Sequence, residues 1–486
     1  MSRRMLAALA VPLIALTPGP ADAGTKSDPT CVVENDLCAY RGIYYAKAKR
    51  FGWPSPTGST EATGDRKVCP QVRDNLTVEY PDKQEIYLDE NCLTLNVWAP
   101  KPDGRKRPVI VFIHGGAARF GTANEPRYAG DRLAGRGDAV VVTINYRLGI
   151  LGRDNNGLRD QIAALTWVRD HIGRFGGDPG KVTAVGQSEG AFHLSAMLAT
   201  EHPERLFRRV ILQSGSGALV HSAAYQRRLD TRFPDTDLRK LPVAEILKLQ
   251  EKVLAEQAPG ILGAVYFGPY IDGNLVRGPV VEQLAKGNAR GIDLMLGTTR
   301  DEMNFFAQLG TPEGLAAQYE AVFFPKELHD RRARVVAAYR KGRTAQQASL
   351  AMFTDQGMRV PAIRMAEAQS RWRPTYLYQF DWQPPKGFGA VHTIELPFVF
   401  GSFGFTGIAG GAEAYRADRR RLTALSNRMI DSWTSFARTG DPKWPAYRAP
   451  RRATMIWDVT PKVVDDPRGS ERRLWDGMPF TALDLG

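Results

Sequence analysis

The chain has 486 residues, 43% of them hydrophobic and 24% charged, with a formal net charge of +13 at pH 7. This balance excludes a disordered or low-complexity chain, and the length allows a large core that needs no metal or disulfide to hold it. The positive excess does not imply nucleic-acid binding: it is dispersed in runs such as DRRARVVAAYRKGR and RADRRRL, which read as solvated helix faces, and no finger, helix-turn-helix or RNA-binding signature is present.

At the N-terminus Arg3 and Arg4 precede the apolar stretch MLAALAVPLIAL, and small residues follow at ADA, residues 21–23. Residues 1–23 are therefore expected to be a signal peptide, and 24–486 a single domain exported to the periplasm or secreted. No later run is long enough to span a membrane. Cys31, Cys38, Cys69 and Cys92 are an even set in an exported chain, so two disulfides are expected. Three pairings are possible; the local one, Cys31–Cys38 with Cys69–Cys92, is preferred.

Next come PVIVFIH (108–114) and DAVVVTINY (138–146), apolar on both faces and read as buried strands of a mostly parallel sheet. RDQIAALTWVRDHIGRF (159–175) carries Ile162, Leu165, Val168 and Ile172 at helical spacing. Strand KVTAVGQ (181–187) leads into helix EGAFHLSAMLAT (189–200). RVILQSG (209–215), DLMLGTT (293–299), TYLYQF (375–380) and ATMIW (453–457) read as further strands. The alternation implies an α/β fold. The helix-rich segments 216–290 and 300–370 are expected to cap the carboxyl edge of the sheet, where such folds bind ligands.

Three stretches carry the chemistry. In AVGQSEGAF, Ser188 stands between glycines after an apolar strand, the pattern of a nucleophile elbow. IHGGAARFG (113–121) directly follows a strand; its small residues let backbone N–H groups converge, so Gly116, Ala117 and the N–H of Glu189 are the expected oxyanion donors. Of seven histidines, His392 in GAVHTIELPFVFG lies in a late loop, where this fold class delivers its base. Asp301 and Glu302 fall just past a strand end and are both candidates for the acid. No zinc spacing, phosphate loop or dinucleotide fingerprint occurs, so neither metal nor cofactor is expected.

These segments, taken in order, resemble the type-B carboxylesterase family. The likeness runs through RGIYYAKAKRF, DENCLTLNVWAP, INYRLGILG and NNGLRDQIAALTWVRDHIGRFGGDPGKVTAVGQSEGA. It continues in LQSGS, GTTRDE, HTIELPFVFG and WTSFARTGDPKWPAY. The resemblance implies an α/β-hydrolase fold and a serine carboxylesterase acting through an acyl-enzyme, with a small-molecule ester as substrate. The alternatives are a related hydrolase of lactones, amides or thioesters, or a catalytically silent binding relative. It also implies Ser188 as nucleophile, His392 as base and Glu302 rather than Asp301 as acid. Ser214 should hydrogen-bond that acid, Arg50–Glu90 and Arg147–Asp178 should form structural ion pairs, and Cys69–Cys92 should form the first disulfide. Three departures stand out. Ala117 replaces the usual third glycine of the oxyanion turn, Glu189 replaces the usual alanine after the nucleophile, and no Trp lies between Cys69 and Cys92, which argues against choline esters.

Overall fold

The structure is a computed structural model describing residues 31–34, 36–73, 78, 88–233, 237–257, 266–307, 311–320, 324 and 326–478; the expected signal peptide lies outside the described residues. Eleven strands form one sheet. In chain order they are β1 (Val32–Glu34), β2 (Leu37–Tyr44), β3 (Thr94–Pro100), β4 (Arg107–Ile113), β5 (Val140–Ile144) and β6 (Gly177–Gln187). They continue with β7 (Arg209–Gln213), β8 (Asp293–Thr299), β9 (Thr375–Phe380), β10 (Ala453–Trp457) and β11 (Lys462–Asp465).

The spatial order is β1-β2-β3-β5-β4-β6-β7-β8-β9-β10-β11. The run from β5 to β10 is parallel, with antiparallel strands added at both edges. The central strands are buried on both faces, which is why they are continuous apolar runs rather than alternating ones. Strand β4 shows how they divide the core. Val109, Val111 and Ile113 pack on one side with Leu165, Trp167 and Val168 of helix α1 (Asn156–His171). Ile110 and Phe112 pack on the other side with Leu422, Met429 and Trp433 of the long C-terminal helix Arg419–Thr439.

The parallel register brings the strand ends level: Gly186 of β6 pairs with Ile113 and Leu212, and Gln213 of β7 pairs with Gly297. The segments expected to cap this edge contain several helices among the described residues, including Ala223–Asp230, Val243–Gln257, Ala345–Thr354 and Val360–Gln369. Both disulfides are present in the local pairing, Cys31–Cys38 and Cys69–Cys92. No helix among the described residues is long and apolar enough to cross a membrane.

Of the two expected ion pairs, Arg50–Glu90 forms, with contacts of 2.5 and 2.8 Å. Arg147–Asp178 does not. Arg147 pairs with Asp160 of α1, whose carboxylate accepts from Arg147 Nε and Nη2 at 2.7 Å each and from its backbone N–H at 3.1 Å. Asp178 instead faces Lys181 and the N–H of Gly180. Asp160 lies on the inward face of a packed helix, where the guanidinium is its buried counter-charge, whereas Asp178 lies at the partly exposed start of β6, already satisfied locally.

Candidate active site

Strand β6 ends at Gln187 and helix α2 (Glu189–Met197) begins two residues later, so Ser188 alone makes the turn. Its backbone takes φ 54° and ψ −123°, a region L-residues rarely occupy, and its neighbours hold it there. The Ser188 N–H donates to Gln213 O at 2.9 Å, and the Ser188 carbonyl accepts from the N–H groups of Ala191 and Phe192 at 2.8 and 3.0 Å. The flanking glycines are sterically required. A Cβ on Gly186 would lie 2.4 Å from Gly190 O, and one on Gly190 would lie 2.2 Å from Ile113 O.

The glycine turn after β4 runs against this elbow; a Cβ on Gly115 would come within 2.9 Å of Ser188 Cβ. Gly116 and Ala117 have φ of 112° and 56°, so the backbone reverses here. His114 Nδ1–H donates to Gly115 O at 2.7 Å, and Tyr146 Oη–H donates to His114 O at 2.8 Å. These bonds occupy carbonyls of the turn. The N–H groups of Gly116, Ala117 and Glu189 donate to no described residue. Ala117 keeps its N–H despite its Cβ.

Glu302 follows β8 and His392 follows β9 by a longer loop. His392 Nδ1–H donates to Glu302 Oε2 at 2.5 Å, and Glu302 Oε1 accepts from Thr299 N–H at 2.7 Å. Both side chains are buried, with Phe305 and Phe306 beside the imidazole at ring separations of 5.9 and 5.5 Å. Asp301 points elsewhere. Its carboxylate pairs with Arg300 at 2.8 Å and accepts from Ala390 N–H at 2.9 Å, while its own N–H donates to Ala390 O at 2.9 Å. It ties the loop bearing Glu302 to the loop bearing His392.

The expected bond from Ser214 to Glu302 is absent: Ser214 Oγ is buried with no hydrogen-bond partner among the described residues, and the second oxygen of Glu302 is taken by the Thr299 amide. Three side chains here carry no motif of their own. Gln187 Nε2 donates to His392 Nε2 at 3.2 Å, and a Cβ on Gly115 would lie 2.7 Å from Gln187 Oε1, so this amide fills the gap between base and oxyanion turn. Ser188 Oγ bonds to no described residue. Glu395, fully buried, accepts from Gln213 Nε2 at 3.2 Å; burial first, then the nearby Glu302 charge, push its carboxyl up to about 7. The Glu189 side chain turns inward and is also buried. Adjacency to Ser188 was the sequence signal available for Gln187; for Glu395 it was a place three residues past His392.

No group of three or more His, Cys, Asp or Glu side chains among the described residues is arranged to hold a metal. The sheet, the strained elbow and a histidine–carboxylate pair past later strands define an α/β-hydrolase. The chain belongs to the carboxylesterase family, whose profile matches residues 28–466, and it is a carboxylic ester hydrolase. It is 35% identical to the para-nitrobenzyl esterase of Bacillus subtilis (strain 168), over 90% of this chain and 95% of that protein. It is 32% identical to the phenmedipham hydrolase of Pseudarthrobacter oxydans, over 89% of this chain and 94% of that protein. Among solved structures, a thermophilic PNB esterase superimposes with a TM-score of 0.79 at 33% identity, covering 92% of this chain and 97% of its own.

Proposed function

We propose that the chain hydrolyses carboxylic esters in two steps through an acyl-enzyme. His392, held by Glu302 in the tautomer with its proton on Nδ1, takes the Ser188 hydroxyl proton at Nε2 as Ser188 Oγ attacks the ester carbonyl. The N–H groups of Gly116, Ala117 and Glu189 receive the oxyanion. The tetrahedral intermediate collapses, the C–O bond to the alcohol breaks, and His392 returns the proton to the leaving oxygen. Water then attacks the acyl-enzyme with the same base, and the acid leaves as Ser188 regains its proton. The observation that carries this reading is the 2.5 Å His392–Glu302 bond beside a serine in a strained elbow. Before attack, Nε2 must exchange the Gln187 amide for the Ser188 hydroxyl; bonds of this kind are commonly completed only when substrate arrives.

The test is labelling by a fluorophosphonate probe, followed by turnover of a panel of esters, lactones, amides and thioesters. Labelling at Ser188 with ester turnover is expected. A folded protein that the probe does not label, and that turns over no ester, would overturn the mechanism. The chain is also proposed to act outside the cytoplasm, as the basic and apolar N-terminal stretch and the two disulfides support.

A further inference from the structure

The glycine turn after β4 holds a shape that its own residues do not impose. Ala117 and Ala118 stand in succession at φ 56° and 52°, where L-residues are strained, and neither is a glycine. Within the turn, Gly116 O accepts from the N–H groups of Arg119 and Phe120 at 2.9 and 3.1 Å. Further restraint comes from outside. Gly149 N–H donates to Ala118 O at 2.5 Å, and Arg119 pairs with Glu251 of the helix Val243–Gln257 at 2.9 Å, an ion pair partly open to solvent.

Gln71 supplies another restraint, and it is 3% exposed. Its side-chain amide faces the backbone of Gly121: Oε1 accepts from Gly121 N–H at 2.8 Å, and Nε2 donates to Gly121 O at 2.9 Å. Nε2 also donates to Cys69 O at 3.0 Å, and Cys69 is fixed to Cys92 by the disulfide. A few residues back, Lys67 O accepts from Nδ2 of Asn124 and of Asn145 at 2.9 and 2.8 Å, while Asn145 Oδ1 accepts from Ala123 N–H at 2.8 Å. The chain from Lys67 to Gln71 therefore lies along the segment that leaves the turn. Gln71 grips the start of that segment by donor and acceptor together, as a strand partner would.

Gly121 passes this grip on. At φ 112° it packs against the start of the turn: a Cβ there would lie 2.5 Å from His114 Nδ1 and 2.8 Å from Gly115 O. One residue back, Phe120 O lies 2.0 Å from where a Cβ on Gly116 would stand. A displacement of Gly121 is thus carried through Phe120 to Gly116, which with Ala117 offers the proposed oxyanion donors. We propose that Gln71, braced by the Cys69–Cys92 disulfide, is a positioning residue for ester hydrolysis that sets the direction of the Gly116 and Ala117 N–H groups. The proposal rests on the esterase reading above. Gln71 acts through the turn and not on the substrate. Its influence falls on the tetrahedral intermediate, because such donors gain most as charge develops on the oxygen.

An alkyl trifluoromethyl ketone and the corresponding methyl ketone separate this role from a structural one. Ser188 Oγ adds to the trifluoromethyl ketone, its proton passes to His392, and the adduct oxygen carries the charge that the turn would receive. The methyl ketone binds without that addition. The readout is the ratio of the two inhibition constants, which does not depend on the fraction of protein that is folded, together with kcat for p-nitrophenyl butyrate. Gln71→Leu keeps the bulk and loses both bonds to Gly121. It is expected to raise the trifluoromethyl ketone constant roughly tenfold or more, to lower kcat by a similar factor, and to leave the methyl ketone constant within about twofold. An unchanged ratio, with or without a fall in kcat, would make Gln71 a structural residue, and an equal rise in both constants would give it a role in the shape of the pocket; either result overturns the proposal. Should Gln71→Leu fail to fold, Gln71→Asn makes the same comparison, because it keeps the amide but withdraws it from Gly121 by one methylene; an unchanged ratio there counts against the proposal. Failure of the esterase reading would look different, since the wild-type protein would then turn over no ester and bind the two ketones alike.

Discussion

The amide of Gln187 donates to Nε2 of His392 at 3.2 Å, while Nδ1 of the same ring is held by Glu302 at 2.5 Å. In the proposed mechanism the nitrogen that receives the serine proton is thus already engaged in the free protein. When the ring becomes an imidazolium, the amide has only to rotate by half a turn for its oxygen to accept from the new N–H. A hydrogen bond to a charged group is worth about 1.5–3 kcal/mol and one between neutral groups about 0.5–1.5 kcal/mol, so the second role outweighs the first. Gln187→Met, which keeps the bulk and loses the amide, should lower kcat/KM for a simple ester roughly tenfold, the ratio that about 1.4 kcal/mol represents. A rise would mean that the amide only obstructs the base.

The acid loop gives a sharper comparison. Ser188→Ala and His392→Ala should each lower kcat by roughly 10⁴ or more with folding intact, and Glu302→Gln should be severe but less so. Asp301→Asn should cost only a few-fold, because that carboxylate faces Arg300 and the Ala390 N–H rather than the imidazole. Steady-state kinetics on the four variants decide it; if Asp301→Asn is the more damaging of the two acid changes, the roles are reversed.

Most of the sheet was legible because its central strands are buried on both faces. DLMLGTT, TYLYQF and ATMIW are strands at the expected bounds, since such runs have no amphipathic alternative. The antiparallel edge was not read. Leu37–Tyr44 carries Arg41 and Gly42 at a register irregularity between Tyr40 and Ile43, and beside its local pairing with β1 it pairs with β3, whose residues are fifty or more positions away. Gly177–Gly180 reads as a surface turn, yet it forms the start of β6. At the site, Ser188, Glu302 and His392 stood out by pattern and resemblance. The partner of Arg147 did not, because spacing says nothing about which of two acids folds inward. Nor could spacing show the orientation of the Ser214 hydroxyl, the Gln187 amide or the Glu189 carboxyl, which packing decides.

The Arg147–Asp160 pair should be a large single determinant of stability. Its side chains are 5% and 0% exposed, and breaking a buried pair leaves an uncompensated charge worth about 3–5 kcal/mol. Asp160→Ala should destabilise by that order in urea unfolding. Asp178→Ala should cost about 1 kcal/mol or less, since its Lys181 partner is half in water. Equal losses would return the structural role to Asp178.

Glu395 should leave a mark on the pH dependence of stability. Its carboxyl ordinarily titrates near 4.5 and is pushed up to about 7 in the folded chain. Between those values the folded protein holds a proton that the unfolded chain has released, so stability present at low pH is lost as pH rises through the window. Glu395→Gln removes the titration. Relative to wild type it should be more favourable at pH 8 than at pH 5, by up to about 3 kcal/mol for a shift of this size. Unfolding midpoints at the two pH values measure this, and a difference that does not change with pH would show that the group keeps its ordinary titration.

Ser188, Glu302 and His392 each lie beyond a different strand; β8 and β9 pair directly, and β6 is joined to them only through β7. No contiguous stretch of chain contains a working fragment of the proposed triad. Parallel pairings between distant segments close slowly, because the intervening loops must be ordered before any ladder bond compensates. A one-residue slip between β7 and β8 would turn every side chain of one strand to the opposite face and carry the acid out of reach of the imidazole. In a refolding experiment, burial of the seven tryptophans that the fold covers can therefore run ahead of catalysis, and the return of esterase activity times the final registration of the sheet.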